Sequence, residues 1–139
     1  MAAAVSTIVI DARDAERLAE FWCEVLGWSR SDHVEPDGAI EIIDPARTAS
    51  VTILIEPVPD QKVIKNRVHL DIRPADVDQP EELDRLLALG ARRADVGQGD
   101  QTWVVLADPE GNEFCLLRGR ADGATARSVH VDEAIERIE

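Results

Sequence analysis

Two periods of apolar residues divide the chain. Thr7-Ile8-Val9-Ile10 is a β-branched strand run. After Asp11–Asp14 the spacing changes: Leu18, Phe21, Trp22, Val25 and Leu26 recur at i, i+3, i+4, i+7 and i+8, which predicts an amphipathic helix stopped by Gly27. The same order returns in the second half. Val68-His69-Leu70-Asp71-Ile72 alternates as a strand; Asp78 is a candidate N-cap, Pro80 stands near the first helical position, and Leu83, Leu86, Leu87 and Leu89 precede a second stop at Gly90. Setting Thr7 against His69 aligns Asp14 with Asp76, and after one inserted residue Leu26-Gly27 meets Leu89-Gly90.

Each helix is followed by strand-like pieces set apart by turn residues. They are Ile40–Ile43, DPARTAS and Val51–Ile55 in the first half, and Gln101–Leu106, DPEGN and Phe114–Leu117 in the second. Further short strands are expected near Trp28 and at Ala91–Ala94. Each half reads β-α-β-β-β, and neither buries its sheet face well alone, so the two are expected to pair in one domain. The expected divisions are a first module over 5–58, a linker within 57–65, a second module over 66–118, and a tail over 119–139 ending in a short helix, Val129–Glu139.

Composition narrows the partners. With 28 acidic and 15 basic residues the formal net charge is −13, which opposes a phosphate backbone and an anionic membrane surface. Nucleic acid and membrane are therefore not expected partners. The opening MAAAVSTIVI is short, lacks a basic leader region and runs into DARDAER, unlike a signal peptide or a membrane span. Only two cysteines are present, Cys23 and Cys115, so free thiols and a cytoplasmic setting are expected. Tyrosine is absent, which leaves Trp22, Trp28, Trp103, Phe21 and Phe114 as the aromatic surface.

Strand alternation locates the candidate chemistry. On the strand through His69, Val68, Leu70 and Ile72 share the face suited to the core, and Arg67, His69, Asp71 and Arg73 share the other. In the last strand Phe114 and Leu116 share one face, and Glu113, Cys115 and Leu117 the opposite one. With Phe114 in the core, Cys115 falls on the same face as His69 and Asp71. His33 and His130 lie in polar segments and are read as solvent-facing.

The β-α-β-β-β duplication, the segment FW-x-x-VLGW (Phe21–Trp28), KNRVHLD (Lys65–Asp71) and DPEGNEFCLL (Asp108–Leu117) together resemble the vicinal oxygen chelate superfamily, and within it the glyoxalase-like branch. The superfamily includes glyoxalases, bleomycin-resistance proteins and extradiol dioxygenases. The resemblance covers about residues 5–118. It implies an α+β fold in which two paired βαβββ modules form a curved mixed sheet around a cleft, with helices on the outer face. It also implies a metal ligand on the first and last strands of each module. Carried over, those positions fall on Thr7, His69, Cys115 and the stretch Ile53–Glu56, where Glu56 is the ionisable choice.

Thr7 is a poor ligand, and hard divalent ions prefer carboxylate or imidazole to thiolate. Glu113 is not a simple substitute, because two residues along a strand is a displacement of about 7 Å. The favoured expectation is a protein that binds a small organic molecule without the usual divalent metal. Its cleft would be lined by His69, Cys115, Arg67, Asp71, Trp103, Trp28, Thr7 and Glu56, the tryptophans suiting a planar or cationic ligand. An alternative is a lyase or isomerase of the glyoxalase or epimerase type, with His69 as base or with Zn, Ni, Fe or Mn held by His69, Glu56 and Cys115. A further alternative is a cysteine-dependent activity in which His69 activates Cys115. A homodimer is compatible with each.

Overall fold

A computed structural model describes residues 1–94 and 102–121. The expected terminal helix at Val129–Glu139 and the start of the strand expected from Gln101 lie outside them. The chain divides into two compact units, with the boundary between Val63 and Ile64 inside the expected linker. Among the described residues each unit carries one helix and one four-stranded sheet, so the class is α+β with two βαβββ modules.

In the first unit β1 (Thr7–Ala12), α1 (Ala15–Leu26), β2 (Ser29–Arg30), β3 (Ile40–Ile43) and β4 (Thr52–Pro57) follow in order. The sheet runs β1-β4-β3-β2, with β1 parallel to β4 and the other pairs antiparallel. The Asp14 carboxylate caps α1 by accepting from Arg17 N at 3.1 Å, and Gly27 ends the helix at φ 67°, where a side chain would be strained. The face of α1 carrying Leu18, Phe21, Trp22 and Val25 is buried, and α1 packs on all four strands of its sheet. Phe21 and Trp22 meet edge-on, with ring centroids 5.2 Å apart.

The turn DPARTAS is organised by one side chain. Asp44 accepts from the backbone N–H of Ala46, Thr48 and Ala49 and, at 2.7 Å, from the Thr48 hydroxyl. These bonds favour the ionised form, the hydroxyl foremost, and hold the Asp44 carboxyl below its ordinary range. A lowered native pKa stabilises the fold above the unfolded-state pKa, and that stabilisation disappears as pH falls through the native one. Asp44→Ala should therefore melt below the wild-type temperature at pH 7. The gap should close progressively in acid, below the usual aspartate value of about 3.9, as thermal melts at stepped pH would show.

In the second unit β5 (Asp71–Ile72), α2 (Gln79–Leu89), β6 (Arg92–Arg93), β7 (Val104–Ala107) and β8 (Glu113–Leu116) repeat the order, and the sheet runs β5-β8-β7-β6. Asp78 caps α2 by accepting from Glu81 N at 3.0 Å, and the Gln79 amide donates to the carbonyls of Thr102 and Leu116. Leu83, Leu86, Leu106, Phe114 and Leu116 are buried. Leu87 and Leu89 on the same helix are only half-buried.

One strand is much shorter than alternation predicts. Val68, expected in the core, is 82% exposed, and neither His69 nor Leu70 lies in the ladder. For Val68 the cause is the length of the neighbouring strand. Asp71 pairs with Cys115 and Ile72 with Leu116, while β8 begins only at Glu113, directly after the Asp108–Asn112 turn. Upstream of the residue facing Glu113 there is no strand backbone to pair with. Side chains take over there: Asn66 N donates to the Glu113 carboxylate at 3.2 Å.

Candidate functional site

Cross-strand register builds a row on one face of the second sheet. Asp71 on β5 is opposite Cys115 on β8, and Cys115 is opposite Val105 on β7. Residues two positions away along each strand share that face. His69 and Glu113 stand to one side of the row, and Leu117 and Trp103 to the other. The face therefore grades from titratable groups at the β5 edge to apolar ones over β7, where Trp103, Cys115 and Leu117 form a buried cluster with Val105 packed against it.

His69, Asp71 and Cys115 converge. One ligand atom from each lies within 4.8 Å of the others, and His69 Nδ1 is 3.3 Å from Asp71 Oδ1. About a third of the His69 side chain is exposed, Asp71 is half-buried, and Cys115 is buried. Asp71 Oδ1 is itself shielded from solvent. A shielded carboxylate oxygen is stabilised by positive charge beside it, supplied by an imidazolium or by a bound cation. Imidazole, carboxylate and thiolate are together a donor set for a borderline-soft ion.

The other expected site residues have different surroundings. Arg67 is exposed, and Arg73 donates through its guanidinium to the Gly119 carbonyl at 3.1 Å. Thr7, Trp28 and Glu56 belong to the first unit. The Thr7 hydroxyl lies 3.1 Å from that of Thr52, which also donates to Glu41. Trp28 is half-buried, and its backbone N–H closes the end of α1 on the Cys23 carbonyl at 3.0 Å.

Glu56 lies across from Asp11 in the β1–β4 register. A hydrogen bond to Asp37 raises the Glu56 carboxyl above its ordinary range, with burial and the repulsion of Asp37, Asp11 and Glu35 adding to the effect. The same bond holds the Asp37 carboxyl below its ordinary range. Cys23, the second thiol, is pushed up chiefly by burial, which disfavours its thiolate.

Two of these groupings escaped the sequence. Asp71 was on the expected face but not among the expected metal donors; the signal is that a parallel pair places it directly opposite Cys115. The Asp37–Glu56 pair had no sequence signal, because a loop residue meets a strand residue nineteen positions away.

Residues 7–117 match the family described as Glyoxalase-like domain. No curated protein matches the chain. Among solved structures it is similar to the fosfomycin resistance protein FosX of Mesorhizobium loti, at 15% identity and TM-score 0.63, covering 87% of this chain and 95% of that one. It is similar also to a glyoxalase/bleomycin resistance protein/dioxygenase family enzyme of Burkholderia phytofirmans PsJN, at 21% identity and TM-score 0.59, covering 82% and 97%. A third is the FosX of Listeria monocytogenes, in a mutant form complexed with Mn(II) and 1S,2S-dihydroxypropylphosphonic acid, at 16% identity and TM-score 0.63, covering 87% and 95%. At these identities the likeness is one of fold. Among the described residues no helix is long and apolar enough to cross a membrane.

Proposed function

The chain belongs to the family of glyoxalase-like domains, and from that premise we propose that it binds a small organic molecule on the His69–Asp71–Cys115 face without a hard divalent ion of the Mn(II) type. The observation that carries this reading is the graded face itself. Titratable groups at the β5 edge orient a polar end of the ligand, and half-buried Val105, backed by buried Leu117 and Trp103, offers it an apolar contact. The Listeria FosX holds Mn(II). A hard ion of that kind prefers oxygen and imidazole donors, and the thiol at Cys115 is a poor substitute for a carboxylate. Cys23 and Cys115, which are not joined in a disulfide, favour a reducing cytoplasm as the place of work, and a homodimer belongs to the same reading.

A thermal-shift screen of small molecules against chelator-treated protein tests this. A ligand at a hundred times its dissociation constant adds about 2.7 kcal/mol of stability. His69→Ala should remove most of that shift while leaving the ligand-free melting temperature nearly unchanged. A shift that vanishes on chelation and returns with Mn²⁺ would overturn the reading.

The contact between His69 Nδ1 and Asp71 Oδ1 favours one second reading, a lyase or isomerase in which Asp71 orients the imidazole of His69 as general base. Bound ligands that emerge chemically altered would distinguish it, and the alteration should be lost in both His69→Ala and Asp71→Asn.

A further inference from the structure

We infer that the exposed segment Ile64–Val68 is the docking surface for this chain's own terminal stretch, Val129–Glu139. The helix expected over that stretch lies outside the described residues, and both stretches fall within the second unit.

The surface itself comes first. Ile64 is 83% exposed and Val68 82%, and between them Asn66 is half-buried and fastened. Its backbone N–H donates to the Glu113 carboxylate at 3.2 Å and its side-chain amide to the Asn112 oxygen at 3.5 Å. Two large apolar side chains therefore flank a fixed point. A surface held in shape beforehand lowers the cost of docking.

Charge selects what fits it. Residues 61–70 contain no acid, and Lys65 and Arg67, both exposed, lie between the two apolar positions, opposite in sign to the chain's net −13. In the terminal stretch Val131, Ala134, Ile135 and Ile138 recur at i, i+3, i+4 and i+7, the spacing of one helical face. Asp132, Glu133, Glu136 and Glu139 outnumber Arg137 there. At about 100° per residue, Asp132 and Glu139 border the apolar stripe. Such a helix sets its stripe on Ile64 and Val68 and brings acids to Lys65 and Arg67.

The tether reaches. Ala121 N donates to the Pro74 carbonyl at 2.9 Å and the Arg73 guanidinium to the Gly119 carbonyl at 3.1 Å, so the described residues end beside Arg73 and Pro74. Val68 precedes Pro74 by six residues and is at most about 22 Å from it, while residues 122–128 span up to about 25 Å. An eleven-residue helix adds about 16 Å, enough to run on to Ile64. A tether this short keeps the two at an effective concentration on the order of millimolar, which favours the chain's own tail over that of a second copy.

The test is amide hydrogen exchange of the full chain over residues 129–139, with circular dichroism as the check of fold. A free helix of that length is marginal in water, so slow exchange there reports docking. The amides should be protected, equally so on dilution. Ile64→Ser combined with Val68→Ser should speed their exchange at least about tenfold, whereas Val34→Ser, at an exposed apolar residue of the first unit, should not. Lys65→Glu combined with Arg67→Glu should speed it too, and Asp132→Lys with Glu139→Lys in that background should restore protection.

Unprotected amides, protection indifferent to loss of Ile64 and Val68, or a charge reversal that the reciprocal reversal does not repair would each overturn the inference. Protection lost on dilution would assign the surface to a second copy and overturn it as well.

Discussion

Replacing Phe114 by alanine is expected to lower the unfolding free energy by about 3–5 kcal/mol, whereas Val68→Ala should change it by no more than about 0.5 kcal/mol. Both residues were apolar members of expected strands on expected core faces. Phe114 is 1% exposed beside Leu106, its register partner, which is fully buried. Truncating it removes a large apolar surface and leaves a cavity that neighbouring strands fill only partly. Val68 is 82% exposed and precedes the ladder. Paired denaturant melts measure the contrast, and comparable losses in the two variants would mean that the second sheet starts earlier than Asp71.

Asp108→Ala is the second large effect, expected at about 2–4 kcal/mol. Asp108 is fully buried, and its Oδ1 accepts from the backbone N–H of Glu110 and Asn112 at 2.9 and 3.0 Å. The Asn112 amide donates to both carboxylate oxygens, and Gly111, at φ 88°, lets the turn close through Gly111 N to the Asp108 carbonyl at 2.8 Å. Alanine leaves these donors without their acceptor in a place that water enters poorly. Asp108→Asn keeps one oxygen for the backbone donors but sets an amide N–H₂ against Asn112, so an intermediate loss is expected.

The turn also sets where β8 begins and hence where Cys115 lies. Alkylation of the buried Cys115 thiol under native conditions should speed up in Asp108→Ala and not in an exposed-site control. Equal alkylation rates would separate the turn from the placement of the thiol.

Much of the architecture was legible because local and long-range signals agreed. Asp78 caps, Gly27 and Gly90 stop, and the apolar stripe of α1 faces its sheet, each a feature confined to a dozen residues. The strand at Val68–Ile72 was over-read. Val68 falls outside it because strand length depends on what the partner offers, and β8 begins only at Glu113. Alternation nonetheless assigned His69, Asp71 and Cys115 to one face, because side-chain direction is settled by parity even where hydrogen bonding is absent. Partners brought together by register or by a loop, Asp71 with Cys115 and Asp37 with Glu56, left no mark in any single segment.

The unequal first strands have a kinetic consequence. β1 pairs with β4 along six residues, so displacing Thr7 would mean peeling a parallel ladder. His69, its counterpart in the second unit, stands outside the ladder, and its segment is held just downstream by the Leu70 carbonyl, which accepts from Cys115 N, and three residues upstream by the links of Asn66 to Glu113 and Asn112. Releasing those upstream links loosens the backbone before His69 without opening the sheet, a sub-global motion from the low end of the stability scale. On the proposed reading, the exchange rate of a ligand held beside His69 then depends in part on Glu113, a residue that need never touch it.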